Sequence, residues 1–600
     1  MKRRLACATL ACLSVVASAS TPTVDVHALR EHLLALPADG SVSTTVTLPV
    51  GDDAVSSFTV RDSHTLPRAL MVRFPGLRSF RGVDASGRTL RLDVAPSGIR
   101  ANIRDGTEAR VLRLTGTDAA ARAGHDRAAP PVASFARGGV ATRHEFRLAI
   151  AASSRYVAAA GGTVASALAE IAHAVNQANE VFETDLGVHF TLVGRNDRIV
   201  RADPARDPFE THDPGPATVE LIDREIGRSR YDIGQALTTY TGGDSHVGTS
   251  CSDARDADFF ATHKAAAWSG HPDPTRPEAI DYLIHVLGRQ LGAWPTADGC
   301  RRDTLDDRAM EPGGGSTAMG YAPWGCGGDD QRLQATAHRY FHAASIGQVQ
   351  AWLASRGGRC ATRRPQKVSS PWIDPAPLAE VAVVPARTPF ALEAFAEPAA
   401  GDRRLTYAWE QMDPGKGQRG ALRDGGDGPL FRSFPPRPHG RRTFPRMSAV
   451  LGREAAEPGE TWPTTSRWLA FRLSVRDNGG DSATVASADT RVRVVDTGAP
   501  FALTLPAAGT VATAGRPLRV GWDVAGTTAA PISCHFLHVD LSTDGGDSWL
   551  DTPLASDVVN DGEAEVALPP ALAPTERARL RLRCDWRPFF AVSPGDFSIR

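Results

Sequence analysis

The spacing of apolar positions changes along the chain, and the changes mark its organisation. Between residues 21 and 140 the runs are short and alternating. Ala69-Leu70-Met71-Val72-Arg73-Phe74 and Thr89-Leu90-Arg91-Leu92-Asp93-Val94 read as strands. Residues 117–139, rich in Ala, Arg and Pro, read as a linker. From His144 the period lengthens. Phe146, Leu148 and Ile150 alternate as a strand. Thr163 then caps a helix with Leu168, Ile171, Val175, Ala178 and Phe182 on one face. Gly187 stops that helix, and residues 188–193 and 231–237 read as strands. Pro277 and Glu278 open a second helix whose apolar stripe is Ile280, Ile284, Leu287 and Leu291. This order of elements predicts an α/β unit. After Arg363 the helical spacing stops. Residues 405–410, 468–475, 518–524, 539–542 and 579–584 alternate as strands, and Thr543-Asp544-Gly545-Gly546-Asp547 has turn composition. Residues 375–498 and 499–600 therefore read as two all-β immunoglobulin-like sandwiches, with Trp409 and Trp522 in their cores.

A chain of 600 residues is too long for one domain. Its start has the pattern of an export signal. Met1-Lys2-Arg3-Arg4 is basic, residues 5–16 are mostly apolar, and Ala17-Ser18-Ala19 is a small-residue cleavage site. That places residues 1–20 as signal peptide, 21–140 as a pro-like region and linker, and 141–363 as the α/β domain. For residues 21–140 a small accessory domain fits as well as a pro-region. A lipid anchor at Cys12 is the alternative to simple cleavage, although Ala11-Cys12 comes early in the apolar run. No later run reaches the roughly 18 apolar residues of a spanning helix. The expected location is secreted, periplasmic or extracellular.

Once Cys7 and Cys12 leave with the signal, Cys251, Cys300, Cys326, Cys360, Cys534 and Cys584 remain, an even number suited to an oxidising compartment. Proximity suggests Cys300–Cys326 and Cys534–Cys584, which leaves Cys251–Cys360; other pairings satisfy the same six residues. A formal net charge of -1 argues against a nucleic-acid partner. Only Lys2, Lys264, Lys367 and Lys416 are lysines, so nearly all cationic charge is arginine, which reads as a coding bias.

The second helix carries the candidate chemistry. Tyr282-Leu283-Ile284-His285-Val286-Leu287-Gly288-Arg289-Gln290-Leu291-Gly292-Ala293-Trp294-Pro295 has the spacing of the metzincin motif H-E-x-x-H-x-x-G-x-x-H. Downstream, Gly313-Gly314-Gly315-Ser316-Thr317-Ala318-Met319-Gly320-Tyr321-Ala322 resembles the Met-turn of the same superfamily. With Val175-Asn176-Gln177-Ala178-Asn179-Glu180, Tyr231-Asp232-Ile233-Gly234, Glu311-Pro312 and Tyr340-Phe341-His342-Ala343, in that order and spacing, the chain resembles bacterial secreted reprolysin-like metallopeptidases. The β-rich tail resembles theirs in Trp409-Glu410-Gln411-Met412-Asp413 and Phe431-Arg432-Ser433-Phe434-Pro435-Pro436. The resemblance implies a zincin-like domain, a zinc cofactor and a peptide substrate.

The departures from the motif change that implication. His285 stands at the first ligand position, but Val286 replaces the general-base Glu, Arg289 the second His and Pro295 the third; Gly292 and Met319 are retained. A catalytic zinc needs about three protein ligands and an open position. Val286 cannot take a proton, and Pro295 has no side-chain donor. Arg289 has no lone pair and a permanent charge. At roughly 4 Å and an effective dielectric near 20, two unit charges repel by about 4 kcal/mol, and a dication doubles that. No metal and no intact catalytic residue are expected here. Substitute ligands would come from His246, His263, His271, Asp298, Asp303, Asp306, Asp307, Glu311, His338 and His342, which lack ligand spacing. His246 and His263 sit in polar sequence and read as solvated, whereas His342 reads as a packed structural residue. Arg289 either pairs a ligand carboxylate in the old cleft or bridges to a neighbouring acid.

Three functional readings follow. The first is a catalytically inactive pseudopeptidase that binds a peptide or protein. The second is an active zinc enzyme with a non-standard site. The third is a surface- or matrix-binding protein acting through its sandwiches. No G-x-S-x-G, Walker A or Rossmann fingerprint offers another chemistry. Asp544-Gly545-Gly546-Asp547 reads as a turn before it reads as a calcium site.

Overall fold

The computed structural model describes the chain from Val24 to Arg600, apart from residues 38–39, 51–53, 106–107, 115–123, 128–141, 210–213, 256–261, 301–306, 323–330, 367, 400, 402, 419, 454–457 and 481–482. The signal-peptide reading and Cys326 lie outside the described residues.

Among the described residues the N-terminal region is an antiparallel sheet of seven strands in chain order, from Thr44–Pro49 to Gly124–Arg127. Its core joins Val46, Phe58, Phe80, Leu92 and Ile103 to Leu29 and Leu33 of the helix Val26–Leu34. Two expectations are corrected here. The run 69–74 is not a strand; residues 69–73 lie in the helix Arg68–Arg73, entered from Pro67, and Phe74 is its C-cap. Proline presets the helical φ at a helix entrance. Leu70 and Met71 are neighbours and both buried, which a strand would place on opposite faces. Inside the expected linker, Gly124–Arg127 pairs with Glu108–Leu114; most of residues 117–139 lie outside the described residues.

The α/β domain follows. Ala267–Gly270, Ile233–Thr238, Thr142–Ala152 and Val188–Leu192 are parallel neighbours, and Gly242–Ser245 closes one end as an antiparallel edge strand. The helix Val164–Leu186 starts at a Thr163–Ser166 capping box and stops at Gly187 with φ 60°. The helix Pro277–Gln290 packs beside it. Phe182, Leu283, Leu287, Met319, Phe341 and Ile346 share one core. Cys251–Cys360 ties the loop before that helix to the end of the domain.

The long helix has no free polar face. Glu170, Asn176, Gln177, Glu180 and Glu183 are buried against the N-terminal sheet. Arg91 Nη2 donates to Glu183 at 2.6 Å, Thr89 Oγ1 to Glu180 at 2.7 Å, and Asn176 Nδ2 to Asp93 at 2.9 Å. Such groups tolerate burial only when paired.

Beyond Pro365 the chain is built of β-sheets. In the first block Val485–Val495 and Arg467–Arg476 pair over their full lengths, flanked by Ala382–Pro385 and Thr406–Gln411. In the second, Pro517–Asp523 lies between Ala502–Leu505 and Glu563–Ala567, while Thr575–Cys584 pairs with Phe536–Ser542. One apolar cluster, including Trp409, Phe444, Trp522 and Leu580, runs through both blocks. Cys534–Cys584 crosses the second. The 543–547 turn is organised by Asp544, whose carboxylate accepts from the Ser542 and Ser548 hydroxyls and the Ser548 N–H. Among the described residues no helix is long and apolar enough to cross a membrane.

Candidate functional site

The helix Pro277–Gln290 positions the site. It starts at a proline with Glu278 in its first turn, and its stripe Ile280, Ile284, Leu287 turns to the core as the spacing requires. That rotation places His285, Val286 and Arg289 toward the edge strand Gly242–Ser245 and the turn around Met319.

His285 is buried at 1% exposure. Its Nδ1 lies 3.0 Å from the Ala318 carbonyl, in the turn one residue before Met319. Its ring meets Tyr321 at a centroid distance of 5.3 Å. Burial, then the Arg289 charge, push its pKa down to about 3, while hydrogen bonding to the Ala318 and Gly320 backbone pulls the other way. The imidazole is therefore neutral at physiological pH and packed into the turn.

Val286 is wholly buried. The edge strand crosses it so closely that a Cβ on Gly243 would stand 2.7 Å from Val286 Cγ2. A methyl-bearing side chain thus occupies the place where the motif has its carboxylate. Arg289 Nη2 lies 3.3 Å from Asp244 Oδ1 on the edge strand, and Asp244 is itself largely exposed. Of the two readings of Arg289, the structure has the internal ion pair. Because Asp244 is solvated, the pair contributes little, on the order of 1 kcal/mol or less. Pro295 is buried and its ring offers no ligand atom.

The retained residues keep the motif's shape. Gly292 has φ +94°, and a Cβ there would stand 2.7 Å from Trp352 Cβ, so both backbone and space require glycine. Met319 is fully buried beneath the helix. Glu311 ties the turn together: its carboxylate accepts from the Thr296, Ser316 and Thr317 hydroxyls and from the Ser316 and Thr317 N–H groups. Burial alone would raise its pKa, but His342 and these donors hold it below the usual value.

The substitute ligands do not converge. His263 is not solvated as its polar sequence suggests. It is buried, 3.9 Å from Asp223, and burial lowers its pKa to about 4. His246 is exposed. His271 stays in its own turn against Asp273. Asp298 accepts from the Gly417 and Gln418 N–H groups of the first β block. Asp307 lies beside Arg308, and His338 is half-buried, stacked on Tyr340. His342 caps the helix Ala343–Trp352 through Nδ1, as a packed structural residue would. Asp303 and Asp306 lie outside the described residues. Among the described residues no three His, Cys, Asp or Glu side chains are grouped to hold a metal. The donor set at His285 does not fit zinc: one neutral nitrogen, a hydrocarbon and a cation stand where three ligands and a base are needed.

Cys300 is disulfide-bonded, and its expected partner Cys326 lies outside the described residues. Sequence reasoning missed Asp244 and its strand. Gly242-Gly243-Asp244-Ser245 has no apolar alternation, and only the pairing with Ala267–Gly270 makes it a strand.

Residues 142–351 match the family described as reprolysin-like metallopeptidases of family M12B. Among solved structures, metalloproteinase-II from Bacteroides fragilis is similar, at 9% identity and a TM-score of 0.31, over 56% of this chain and 96% of that one. Fibronectin(III)-like modules of Clostridium thermocellum CbhA are similar at 14% identity and a TM-score of 0.14, over 38% and 92%. Drosophila N-cadherin EC1-4 is similar at 15% identity and a TM-score of 0.14, over 38% of this chain and half of that one. No curated protein matches the chain.

Proposed function

Because residues 142–351 form a domain of the reprolysin-like metallopeptidase family, we propose that this chain is an exported, non-catalytic member that holds a peptide or protein segment without cutting it. The observation that carries the reading is the state of the motif. His285 is sealed into the Met319 turn, Val286 lies under the edge strand, and Arg289 is closed onto Asp244. The scaffold is intact while each chemical group is replaced or engaged. Gly242–Ser245 remains the end strand of its sheet, so its outer backbone groups can receive an extended segment. Export is supported by the signal-like start and by disulfides suited to an oxidising compartment. In this reading residues 1–20 are removed, 21–140 are the pro-like region, whose sheet packs on the long helix, 141–363 are the peptidase-like domain, and 375–498 and 499–600 are two β blocks that share one apolar cluster.

Metal content and peptidase activity of the purified mature chain test the proposal. Zinc at background and no cleavage of an unstructured protein substrate are expected. Stoichiometric zinc together with cleavage would overturn it and favour the active-enzyme reading.

A further inference from the structure

A cleft of about 760 Å³ opens between the two β blocks, away from the peptidase-like motif. Arg437, Arg441, Arg442, Arg446, Arg581 and Arg583 line it, against only Asp540, Asp547 and Asp551. Two of the aspartates are already paired, and so are Arg581 and Arg583 through Asp540 and Arg442 through Glu460 at 3.0 Å, which leaves Arg437 and Arg441 as the cleft's accessible cations. Asp540 receives Arg581 at 2.8 Å and Arg583 at 2.6 Å, and Asp547 pairs with Arg453 and Arg577. The chain as a whole carries a net charge of -1, so this concentration of cations is local. Arg437 shows the crowding: partial desolvation in the cleft, then the Arg446 and Arg442 charges, lower its pKa.

Aromatic rings hold several of these arginines in place. Arg581 lies over Trp549 at 4.3 Å, Arg442 over Phe434 at 5.0 Å and over Phe444 at 4.5 Å, and Arg446 over Phe434 at 5.4 Å. Stacking fixes a guanidinium before a ligand arrives, and a pre-organised fork suits a planar carboxylate. The same stacking covers ring faces that would otherwise receive sugar rings, which disfavours a polysaccharide.

We propose that this interblock cleft is a binding site for an acidic peptide segment, whose side-chain carboxylates are read chiefly by Arg437 and Arg441 of the first block. The cleft volume lies in the range of ordinary ligand pockets. The site stands apart from the motif at His285 and does not depend on whether that motif is catalytic.

The test is fluorescence anisotropy with a labelled hexaglutamate peptide and the full mature chain. Saturable binding that weakens as salt rises is expected, with no competition from hexaglutamine. The double variant Arg437→Ala/Arg441→Ala should weaken binding by about tenfold or more, as expected for lost charge-assisted hydrogen bonds. Arg437 is exposed to solvent and Arg441 is half-exposed, so the melting temperature should stay unchanged. Absence of binding, equal binding of hexaglutamine, or unchanged affinity in the double variant would overturn the proposal. So would tighter binding of polygalacturonate than of hexaglutamate.

Discussion

At the scale of single residues, His285 stands at the motif's first ligand position and is buried in the fold. Its Nδ1 faces the Ala318 carbonyl and its ring packs on Tyr321, so the side chain is a buried part of the turn. Its neutral form carries a consequence for stability. Its pKa falls from the ordinary 6.5 to about 3 on folding, so the unfolded chain binds the proton more readily. The contribution is present above pH 6.5 and is lost as pH falls toward 3. His285→Gln should reduce the acid-side slope of stability by up to ~1.4 kcal/mol per pH unit in that window. Urea unfolding midpoints of the two proteins between pH 4 and 7 check this; parallel curves would contradict it.

At the scale of elements, the long helix Val164–Leu186 is the hub. One face builds the domain core and the other is neutralised by the N-terminal sheet. Glu183 is the tightest point, with Arg91 at 2.6 Å, Arg143 at 3.0 Å, Arg81 at 3.7 Å and His189 at 2.7 Å. Burial would raise its pKa, but Arg91 and His189 hold it well below the usual range. Glu183→Ala would strand several buried cations. A loss of about 3–5 kcal/mol in guanidinium unfolding is expected, as for a broken buried pair. The apolar stripe of this helix was legible from sequence, and so were its cap and stop. The burial of its polar face was not. A polar face reads as solvated unless the partner surface is known, and that partner lies some 90 residues away in sequence. The helix at Arg68–Arg73 was misread for a related reason: six residues do not distinguish alternation from a short helix, and Pro67 settles it.

At the scale of the whole molecule, the first β block is joined to the peptidase-like domain through buried polar contacts. Ala343 N–H donates to Glu410 at 3.0 Å, and Ser316 Oγ to the Ser433 carbonyl at 3.1 Å. Arg476 is fully buried, 4.0 Å from Asp185. Burial pushes Asp185 up to about 7, against the pull of Arg476 and the Phe341 N–H. A raised acid pKa means that the folded state holds the proton. Its contribution is full below pH 3.8 and is lost as pH rises through 7. Asp185→Asn should therefore flatten the decline in stability between pH 4 and 7, opposite in sign to the histidine effect. Melting temperature against pH for the variant and its parent measures it.

The sequence by itself determined the order of α/β and β-rich regions, the motif's retained glycine and methionine, and the loss of its base and two ligands. Those features are local: periodicity, caps and residue chemistry at fixed spacing. Tertiary structure decided what fills the vacated places, because Val286 meets Gly243 and Arg289 meets Asp244 only when a strand without apolar alternation pairs at the sheet edge. It also gathered the six cleft arginines, read from composition as mere bias. Residues 437–446 and 581–583 are far apart in the chain, and charge becomes a site only where folding concentrates it.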